Sequence, residues 1–172
     1  ARSIIQRLPE KFPDSILGKL QNSQVIPVPI DTRELKQDPK KDKHDDSILE
    51  VIWNHHWEYD KEIELLLPLV KQVAAQQLPL RFHIVGEQFR QQPPQFAEIN
   101  QTLAEHGART GISRGSFGFV PERNDYLALL QRCDVVLSTA LHDFQGLAVQ
   151  EAVAAGCTPL TPADLVYPEY LE

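Results

Sequence analysis

The feature that most constrains the fold is a regular alternation of short apolar runs with longer helix-like stretches, which begins at Ile48. The apolar runs are typical of short buried strands and span Ile48 to Trp53, Leu80 to Gly86, Gly115 to Val120, Asp134 to Thr139 and Cys157 to Pro162. The helix-like stretches between them run from Asp60 to Gln77, Gln95 to His106, Glu122 to Arg132 and Gly146 to Ala155. Strands that alternate with helices of this length form βαβ units. The sequence therefore predicts an α/β fold with a parallel sheet flanked by helices.

The first 47 residues lack this alternation. A short helix is expected from Ile4 to Leu8, and the run from Ser23 to Asp31 carries two prolines, which favour an edge strand or an extended connection. From Asp31 to Ser47 most residues are charged and almost none is apolar, a pattern that predicts a mobile loop or linker. Residues 1–47 are thus predicted to be a connection and a charged loop, and residues 48–172 the main domain.

Composition excludes several classes of function. A net charge of -7 argues against a broad phosphate-gripping surface, because nonspecific nucleic-acid affinity comes mainly from Lys and Arg. No apolar run approaches the roughly 20 residues of a membrane span, and the N-terminus lacks the apolar core of a signal peptide, so we expect a cytoplasmic protein. Cys133 and Cys157 lack metal-ligand spacing and are predicted to be buried reduced thiols, without a metal site. The absence of any methionine leads us to expect a fragment.

Parallel sheets bind ligands outside the carboxyl ends of their strands, so the residues after each strand are the first candidates for a site. After the first strand, His55, His56 and Lys61 place potential cations or donors at a helix start, where a phosphate would also meet free N–H groups. The alternative is a solvated helix start. Gly86 after the second strand permits a tight turn and a close approach to a ligand. Gly118 belongs to the turn after the third strand, which is either a ring-binding pocket or a plain turn.

The end of the fourth strand carries two acids on either side of a helix start. Asp143 lies in the loop, Gly146 at the helix entrance, and Glu151 within the helix. Helical spacing puts Glu151 on a face that is otherwise small and apolar, where an unpaired charge is costly. We therefore expect a hydrogen-bonding partner for Glu151.

The rise of a helix per residue converts the spacing of Asp143 and Glu151 into a distance, which indicates the shape of a matching ligand. At about 1.5 Å per residue, Glu151 lies roughly 7 to 8 Å inside the helix, while Asp143 precedes it. The helix N-terminus between them carries unsatisfied N–H groups and a partial positive charge. A nucleotide-sugar fits, with its diphosphate at the helix start, its sugar at Asp143 and its ribose at Glu151. Alternatively, Asp143 merely caps the helix region and Glu151 pairs with a neighbouring cation.

The segment DFQGLAVQEAVAAG, from Asp143 to Gly156, resembles the acid-x7-acid motif of retaining glycosyltransferases that have two Rossmann-like domains, the family 4-like GT-B enzymes. That motif is usually E-G-F-G-L-x-x-x-E-A-x-A-x-G. More narrowly, VIWNHHWEYDK, FHIVGEQF, DVVLSTALHDFQG and DLVYPE resemble the tRNA-queuosine mannosyltransferase family. The match runs from about Val25 to Tyr170. The resemblance implies the C-terminal, donor-binding Rossmann-like half of a GT-B enzyme, truncated at its C-terminus, with residues 1–47 forming the interdomain connection.

The resemblance also implies a donor, an acceptor and a role for each candidate residue. The donor would be GDP-mannose, with no further cofactor, and the acceptor the queuosine of a tRNA, reached together with a missing N-terminal domain. The roles implied are diphosphate contact for His56 and Lys61, base contact for Gly118, Phe119 and Val120, backbone N–H donation to phosphate by Phe144, Gln145, Gly146 and Leu147, sugar contact for Asp143 and ribose contact for Glu151. Lys61 and Asp143 would be the catalytic pair in a metal-independent, retaining transfer.

Two positions depart from the family pattern. His56 occupies a slot that usually holds Arg, and because His is mostly neutral at pH 7, diphosphate binding would be weaker or pH-dependent. Asp143 replaces the usual first Glu and is one methylene shorter. Other functions stay open: transfer from another nucleotide-sugar to a lipid or saccharide, a nucleotide-sugar epimerase, or a noncatalytic binding module.

Overall fold

The computed structural model describes residues 26–35 and 47–171 of the 172-residue chain. The strands are β1 (Leu49–Asn54), β2 (Leu80–Val85), β3 (Phe117–Gly118), β4 (Val135–Leu137) and β5 (Thr158–Leu160). The α-helices are α1 (Ile63–Gln76), α2 (Gln95–Thr110), α3 (Arg123–Arg132) and α4 (Leu147–Ala154). Single 3-10 turns lie at Thr32–Glu34, Tyr59–Lys61 and Tyr167–Glu169.

The five strands form one parallel sheet in the order β3-β2-β1-β4-β5. β1 lies at the centre, and its successors in the chain extend the sheet first to one side and then to the other. This reversal leaves a crevice at the carboxyl end of β1, between β2 and β4, which is where open parallel sheets bind ligands. The predicted α/β class with a parallel sheet is confirmed.

Alternate residues of β1 enter two separate apolar cores, one on each face of the sheet. Val51 and Trp53 pack in a core that includes Phe96 of α2, whereas Ile52 packs in a second core with Val149 of α4. A strand buried on both faces reads as a nearly continuous apolar run, which is why ILEVIW predicts a strand without alternation. The result is a three-layer arrangement of helices, sheet and helices.

Several predicted element bounds need correction. The helix expected from Asp60 begins at Ile63, because the chain first makes a 3-10 turn and then passes through Glu62 in the left-handed region, with φ of 50°. α2 continues beyond His106 and ends where Gly111 supplies a left-handed C-cap. β3 pairs over two residues, Phe117 and Gly118, far fewer than the predicted run.

The N-terminal expectations fall mostly outside the described residues. The helix from Ile4 to Leu8 and the charged stretch at 36–46 lie there. Within the described part, residues 26–30 form no strand, which leaves the extended connection of the two alternatives. The segment from Asp31 begins with a 3-10 turn, which the side chain of Asp31 caps by accepting the N–H of Arg33 at 3.0 Å.

Cys133 and Cys157 are both buried, and neither forms a disulfide. The Cys157 thiol donates to the carbonyl oxygen of Leu130 at 3.3 Å. Burial raises the pKa of the Cys133 thiol well above its ordinary range. Within residues 26–35 and 47–171, no helix combines the length and apolarity needed to cross a membrane.

Candidate functional site

A pocket of about 530 Å³ opens at the carboxyl ends of the central strands, and its size is typical of small-molecule sites. The ends of β1 and β2, the turn after β3, and the loop between β4 and α4 supply its wall. The lining residues are Asn54, His55, His56, Lys61, Val85, Gly86, Glu87, Phe119, Val120, Pro121, Arg123, Tyr126, Asp143, Phe144, Gln145, Gly146, Leu147 and Ala148.

Gly86 brings the end of β2 against the residues that follow β1. Its φ is +150°, and a Cβ placed there would lie 1.8 Å from the carbonyl oxygen of His55, a backbone atom that has no freedom to move aside. Only glycine therefore fits where these two backbone segments meet. The close approach that the sequence analysis assigned to Gly86 is thus made to the protein's own backbone, at the edge of the pocket.

Asp143 is anchored by the protein through both of its carboxylate oxygens. Oδ1 accepts the N–H of Gly146 at 2.8 Å, and Oδ2 accepts the hydroxyl of Tyr167 at 3.1 Å. The Tyr167 hydroxyl is also 2.7 Å from the Ser138 hydroxyl at the end of β4, which acts as its donor because Tyr167 already donates to Asp143. The capping role is therefore present, and it fixes a carboxylate at the wall of the pocket.

Lys61 is bound to the site loop rather than to solvent. Its Nζ donates to the carbonyl oxygen of His142 at 2.7 Å and lies 3.0 Å from Oδ2 of Asp60. The side chain is only 11% exposed, so the ammonium group is held in place on the wall of the pocket that Asp143 also lines. Its own carbonyl oxygen accepts the hydroxyl of Thr139 at 2.6 Å, which ties the turn before α1 to the end of β4.

The two histidines after β1 occupy different environments. His56 is exposed, with Nδ1 3.6 Å from Oε2 of Glu87. His55 is buried, its ring stands edge-on to Trp53 at 5.1 Å, and its Nε2 has no hydrogen-bond partner among the described residues. Burial lowers the pKa of His55 to about 4, an effect that nearby Asp143 opposes and Lys61 reinforces. His55 is therefore a neutral ring in the pocket wall.

Asn54 and Tyr126 form the opposite part of the wall. The Asn54 amide donates to the Tyr126 hydroxyl and to the carbonyl oxygen of Ala148, each at 2.9 Å. Both amide hydrogens are then used, and Oδ1 stays buried without a partner among the described residues. Burial raises the pKa of Tyr126 to about 12, so its hydroxyl stays protonated with its own hydrogen available as a donor.

Glu151 is paired with a cation, Arg123 at the start of α3. Arg123 Nη2 donates to Oε1 of Glu151 at 2.6 Å, and Arg123 Nε donates to Oε2 of Glu34 at 3.2 Å. The carboxylates hold the pKa of Arg123 above its ordinary value. Arg123 lines the pocket, whereas Glu151 lies one helical turn beyond the pocket residue Ala148.

The loop before α4 presents unsatisfied backbone donors. Gly146 adopts φ of +69°, so the chain turns sharply into α4 at Leu147. The N–H groups of Phe144, Gln145 and Leu147 donate to no acceptor among the described residues. A helix N-terminus with free N–H groups favours an anion. The Phe144 side chain is 94% exposed beside them.

Ten of the twelve residues to which the sequence analysis assigned a donor-binding or catalytic role line the pocket. They are His56, Lys61, Gly86, Phe119, Val120, Asp143, Phe144, Gln145, Gly146 and Leu147. Gly118 and Glu151 do not, because Gly118 is buried in β3 and Glu151 is reached through Arg123.

Sequence reasoning assigned no site role to Asn54, Arg123 or Tyr126. It named His55 as a potential cation or donor, but the buried ring of His55 is neutral. Asn54 could have been found, because a polar residue at the end of a buried strand meets the same criterion that singled out His55 and His56. Arg123 and Tyr126 give no such signal, since their partners are far away in the chain.

Comparison with known proteins assigns the fold and the family. The chain is 38% identical over 125 residues to tRNA-queuosine alpha-mannosyltransferase of Drosophila melanogaster, a match that covers 73% of this chain and 31% of that protein. The chain thus spans about a third of the length of that relative.

Solved glycosyltransferases share the fold. A TarM variant from S. aureus, in complex with fondaparinux, alpha-GlcNAc-glycerol and UDP, matches with a TM-score of 0.60 and 18% identity over 91% of this chain and 30% of that chain. An alpha,alpha-trehalose-phosphate synthase (UDP-forming) from Burkholderia xenovorans, in complex with glucose-6-phosphate, matches with a TM-score of 0.52 and 16% identity over 73% of this chain and 32% of that chain. These neighbours have the GT-B fold, which the sequence resemblance predicts.

The family model for glycosyl transferases group 1 matches residues 32–172, which is most of the chain. Both the parallel sheet and the identity to a mannosyltransferase agree with this match. The chain therefore belongs to the glycosyl transferases group 1 family.

Proposed function

We propose that residues 48–172 form the donor-binding domain of a retaining, metal-independent mannosyltransferase that transfers mannose from GDP-mannose to queuosine in tRNA. The identity to the Drosophila tRNA-queuosine alpha-mannosyltransferase supports this choice of donor and acceptor. On this proposal residues 1–47 connect the domain to an N-terminal domain that carries most acceptor contacts, and the enzyme acts in the cytoplasm.

The observation that carries the proposal is the arrangement of charges around the start of α4. Lys61 and Asp143 line one pocket together with the loop whose N–H groups, at Phe144, Gln145 and Leu147, have no acceptor among the described residues. A diphosphate would find a held ammonium group and free backbone donors there, and a sugar hydroxyl would find a fixed carboxylate. His56, Gly86, Phe119 and Val120 complete the donor site, with the base against Phe119 and Val120 and with Gly118 behind them in β3.

In the proposed reaction the bond between the anomeric carbon of mannose and the diphosphate breaks, and the anomeric carbon gains positive character. Negative charge grows on the departing diphosphate. Lys61 and the N–H groups before α4 would therefore stabilise the transition state more strongly than they stabilise the bound donor. Asp143 would hold the sugar through its hydroxyls. Lys61 is preorganised for this task because His142 and Asp60 already fix its ammonium group.

The test is calorimetric titration of the chain with GDP and GDP-mannose. We expect binding of both, and we expect Lys61→Met to weaken both by about 10- to 100-fold, the usual effect of removing a hydrogen bond to a charged group. Lys71→Met is the matched control, because Lys71 is exposed and pairs with Glu98 on α2, away from the pocket. Asp143→Asn should weaken GDP-mannose more than GDP.

The outcomes separate the proposal from its alternatives. A folded chain that gives no heat with either ligand would contradict donor binding. Equal losses of affinity in the Lys61→Met and Lys71→Met variants would contradict a role for Lys61 in donor binding. In the full-length protein, isomerised sugar nucleotide without acceptor would indicate an epimerase, and tight donor binding with no transfer would indicate a binding module.

A further inference from the structure

The N-terminal segment at residues 26–35 reaches both sides of the pocket mouth. The Gln145 side chain accepts the backbone N–H of Val28 at 2.9 Å and donates to the Val28 carbonyl oxygen at 2.6 Å, so one side-chain amide pairs with both backbone groups of one residue. Glu34, at the other end of the segment, accepts a hydrogen bond from Arg123 at 3.2 Å. Gln145 and Arg123 both line the pocket. The segment therefore fixes two pocket residues that are distant from it in sequence.

Arg123 connects this segment to the acid on α4. Its side chain is 45% exposed, and that of Glu151 is 22% exposed. Arg123 occupies only Oε1 of Glu151, and no described residue donates to Oε2. A carboxylate held by one oxygen keeps its second oxygen as a fixed acceptor. The ligand chemistry that matches such an acceptor is a hydroxyl group.

Charge balance gives Arg123 a second role. Without the guanidinium group, Glu34 and Glu151 would leave two uncompensated negative charges beside a site for an anionic ligand. With it, the three groups carry a single net negative charge. Arg123 also lies over the ring of Tyr126, with its guanidinium carbon 5.7 Å from the ring centroid, which further limits its freedom.

We propose that Arg123 is a positioning residue of the ribose subsite: anchored by Glu34, it holds Glu151 so that Oε2 accepts a ribose hydroxyl, and residues 26–35 thereby belong to the donor site. This inference rests on the proposed function. It is independent of the roles of Lys61 and Asp143. The family match, which begins at residue 32, supports including Glu34 in the same unit as the sheet.

The test compares GDP with 2′,3′-dideoxy-GDP by calorimetry. We expect the 172-residue chain to prefer GDP by about 10- to 100-fold, since a hydroxyl donating to a carboxylate is a charge-assisted hydrogen bond. Arg123→Met should reduce the preference to about 3-fold or less, mainly by weakening GDP. Arg123→Lys should restore part of it, and Glu34→Gln should lower it by a smaller factor.

The matched control is Arg109→Met, because Arg109 is exposed in the last turn of α2 and does not line the pocket. It should keep the full preference for GDP. Thermal melting of each variant checks folding, and we expect little change because the substituted side chains are on the surface.

Three results would overturn the inference, and they are distinguishable. If Arg123→Met keeps the original preference, Arg123 does not position the acid, while the proposed function stands. If the unmodified chain binds both nucleotides equally, Glu151 takes no ribose hydroxyl, and donor binding again stands. If it binds neither, the proposed function fails and the inference fails with it.

Discussion

At the scale of a single residue, His55 is a buried polar side chain in the pocket wall with one ring nitrogen that lacks a hydrogen-bond partner among the described residues. Its ring is buried beside Trp53, and Nε2 has no partner in the described part of the chain. Burial lowers the pKa from 6.5 to about 4, so the folded chain keeps the ring neutral while the unfolded chain takes up a proton below pH 6.5. The free energy of unfolding should therefore fall as the pH drops from 6.5 towards 4.

Replacing His55 with Phe tests this linkage. His55→Phe keeps an aromatic ring but cannot be protonated, so the variant should lack this part of the acid sensitivity, which corresponds to roughly 3 kcal/mol at the low end of the range. The measurement is urea denaturation at several pH values between 7 and 4.5. The unmodified chain, measured over the same pH range, is the control. Identical profiles for His55→Phe and the unmodified chain would contradict the expectation.

At the scale of an element, β1 is fixed at its amino end by a buried acid opposite the pocket. Glu50 is 1% exposed and accepts hydrogen bonds from Arg81 and from Nε2 of His83, the latter at 2.8 Å. Nδ1 of His83 accepts the N–H of Ser116 at 2.9 Å, so the histidine is the Nε2–H tautomer. The cluster joins β1 and β2 to the residue before β3. Burial by itself would raise the pKa of Glu50, but His83 and Arg81 hold it below its ordinary value.

Removing this acid should weaken the whole sheet. We expect Glu50→Ala to lower the free energy of unfolding by about 3 to 5 kcal/mol, because Arg81 and His83 would lose their buried partner. Because the folded pKa of Glu50 is lowered, its contribution is present above the unfolded pKa and is lost as the pH falls through the folded pKa. Chemical denaturation measures the change. Glu58→Ala, at an exposed position, should change stability by less than about 0.5 kcal/mol; similar losses in both variants would contradict the role of Glu50.

The elements were largely predictable from sequence, and their ends were not. Apolar runs between helix-length segments identify all five strands. The signal has its clearest cause in the central strand β1, because a strand buried on both faces needs a nearly continuous apolar run. The first residue of α1 is set by Glu62, which adopts a left-handed backbone conformation, and the length of β3 is set by its pairing with β2. Neither feature can be recognised from the neighbouring residues in the sequence. The candidate site was likewise predictable in part. Its backbone positions at strand ends were predictable, whereas the Glu34–Arg123–Glu151 arrangement joins three distant parts of the chain and was not.

At the scale of the whole molecule, the chain spans 31% of the Drosophila relative, so the proposed reaction needs parts that lie beyond it. The net charge of -7 gives the 172-residue chain little attraction for a tRNA backbone. We therefore assign the tRNA contacts of the proposed enzyme mainly to its remaining domain.

If the tRNA contacts lie mainly in another domain, the chain alone should bind the donor without transferring mannose. The chain alone should bind GDP-mannose yet produce no mannosylated queuosine, whereas the full-length protein should produce it. Mass spectrometry of tRNA nucleosides after incubation with GDP-mannose provides the measurement. Full-length protein carrying Lys61→Met is the control for donor dependence. Transfer by the chain alone at a rate close to that of the full-length protein would contradict the assignment.

The hydrogen bond from Tyr167 to Asp143 joins residues that are 24 positions apart in the chain. Tyr167 follows β5, so during synthesis on the ribosome Asp143 emerges well before the hydroxyl that fixes it. The hydrogen bond of Asp143 to the N–H of Gly146 is local, whereas its second anchor is supplied by a residue that follows β5. A chain that ended before Tyr167 would therefore lack one of the two hydrogen bonds that fix this acid.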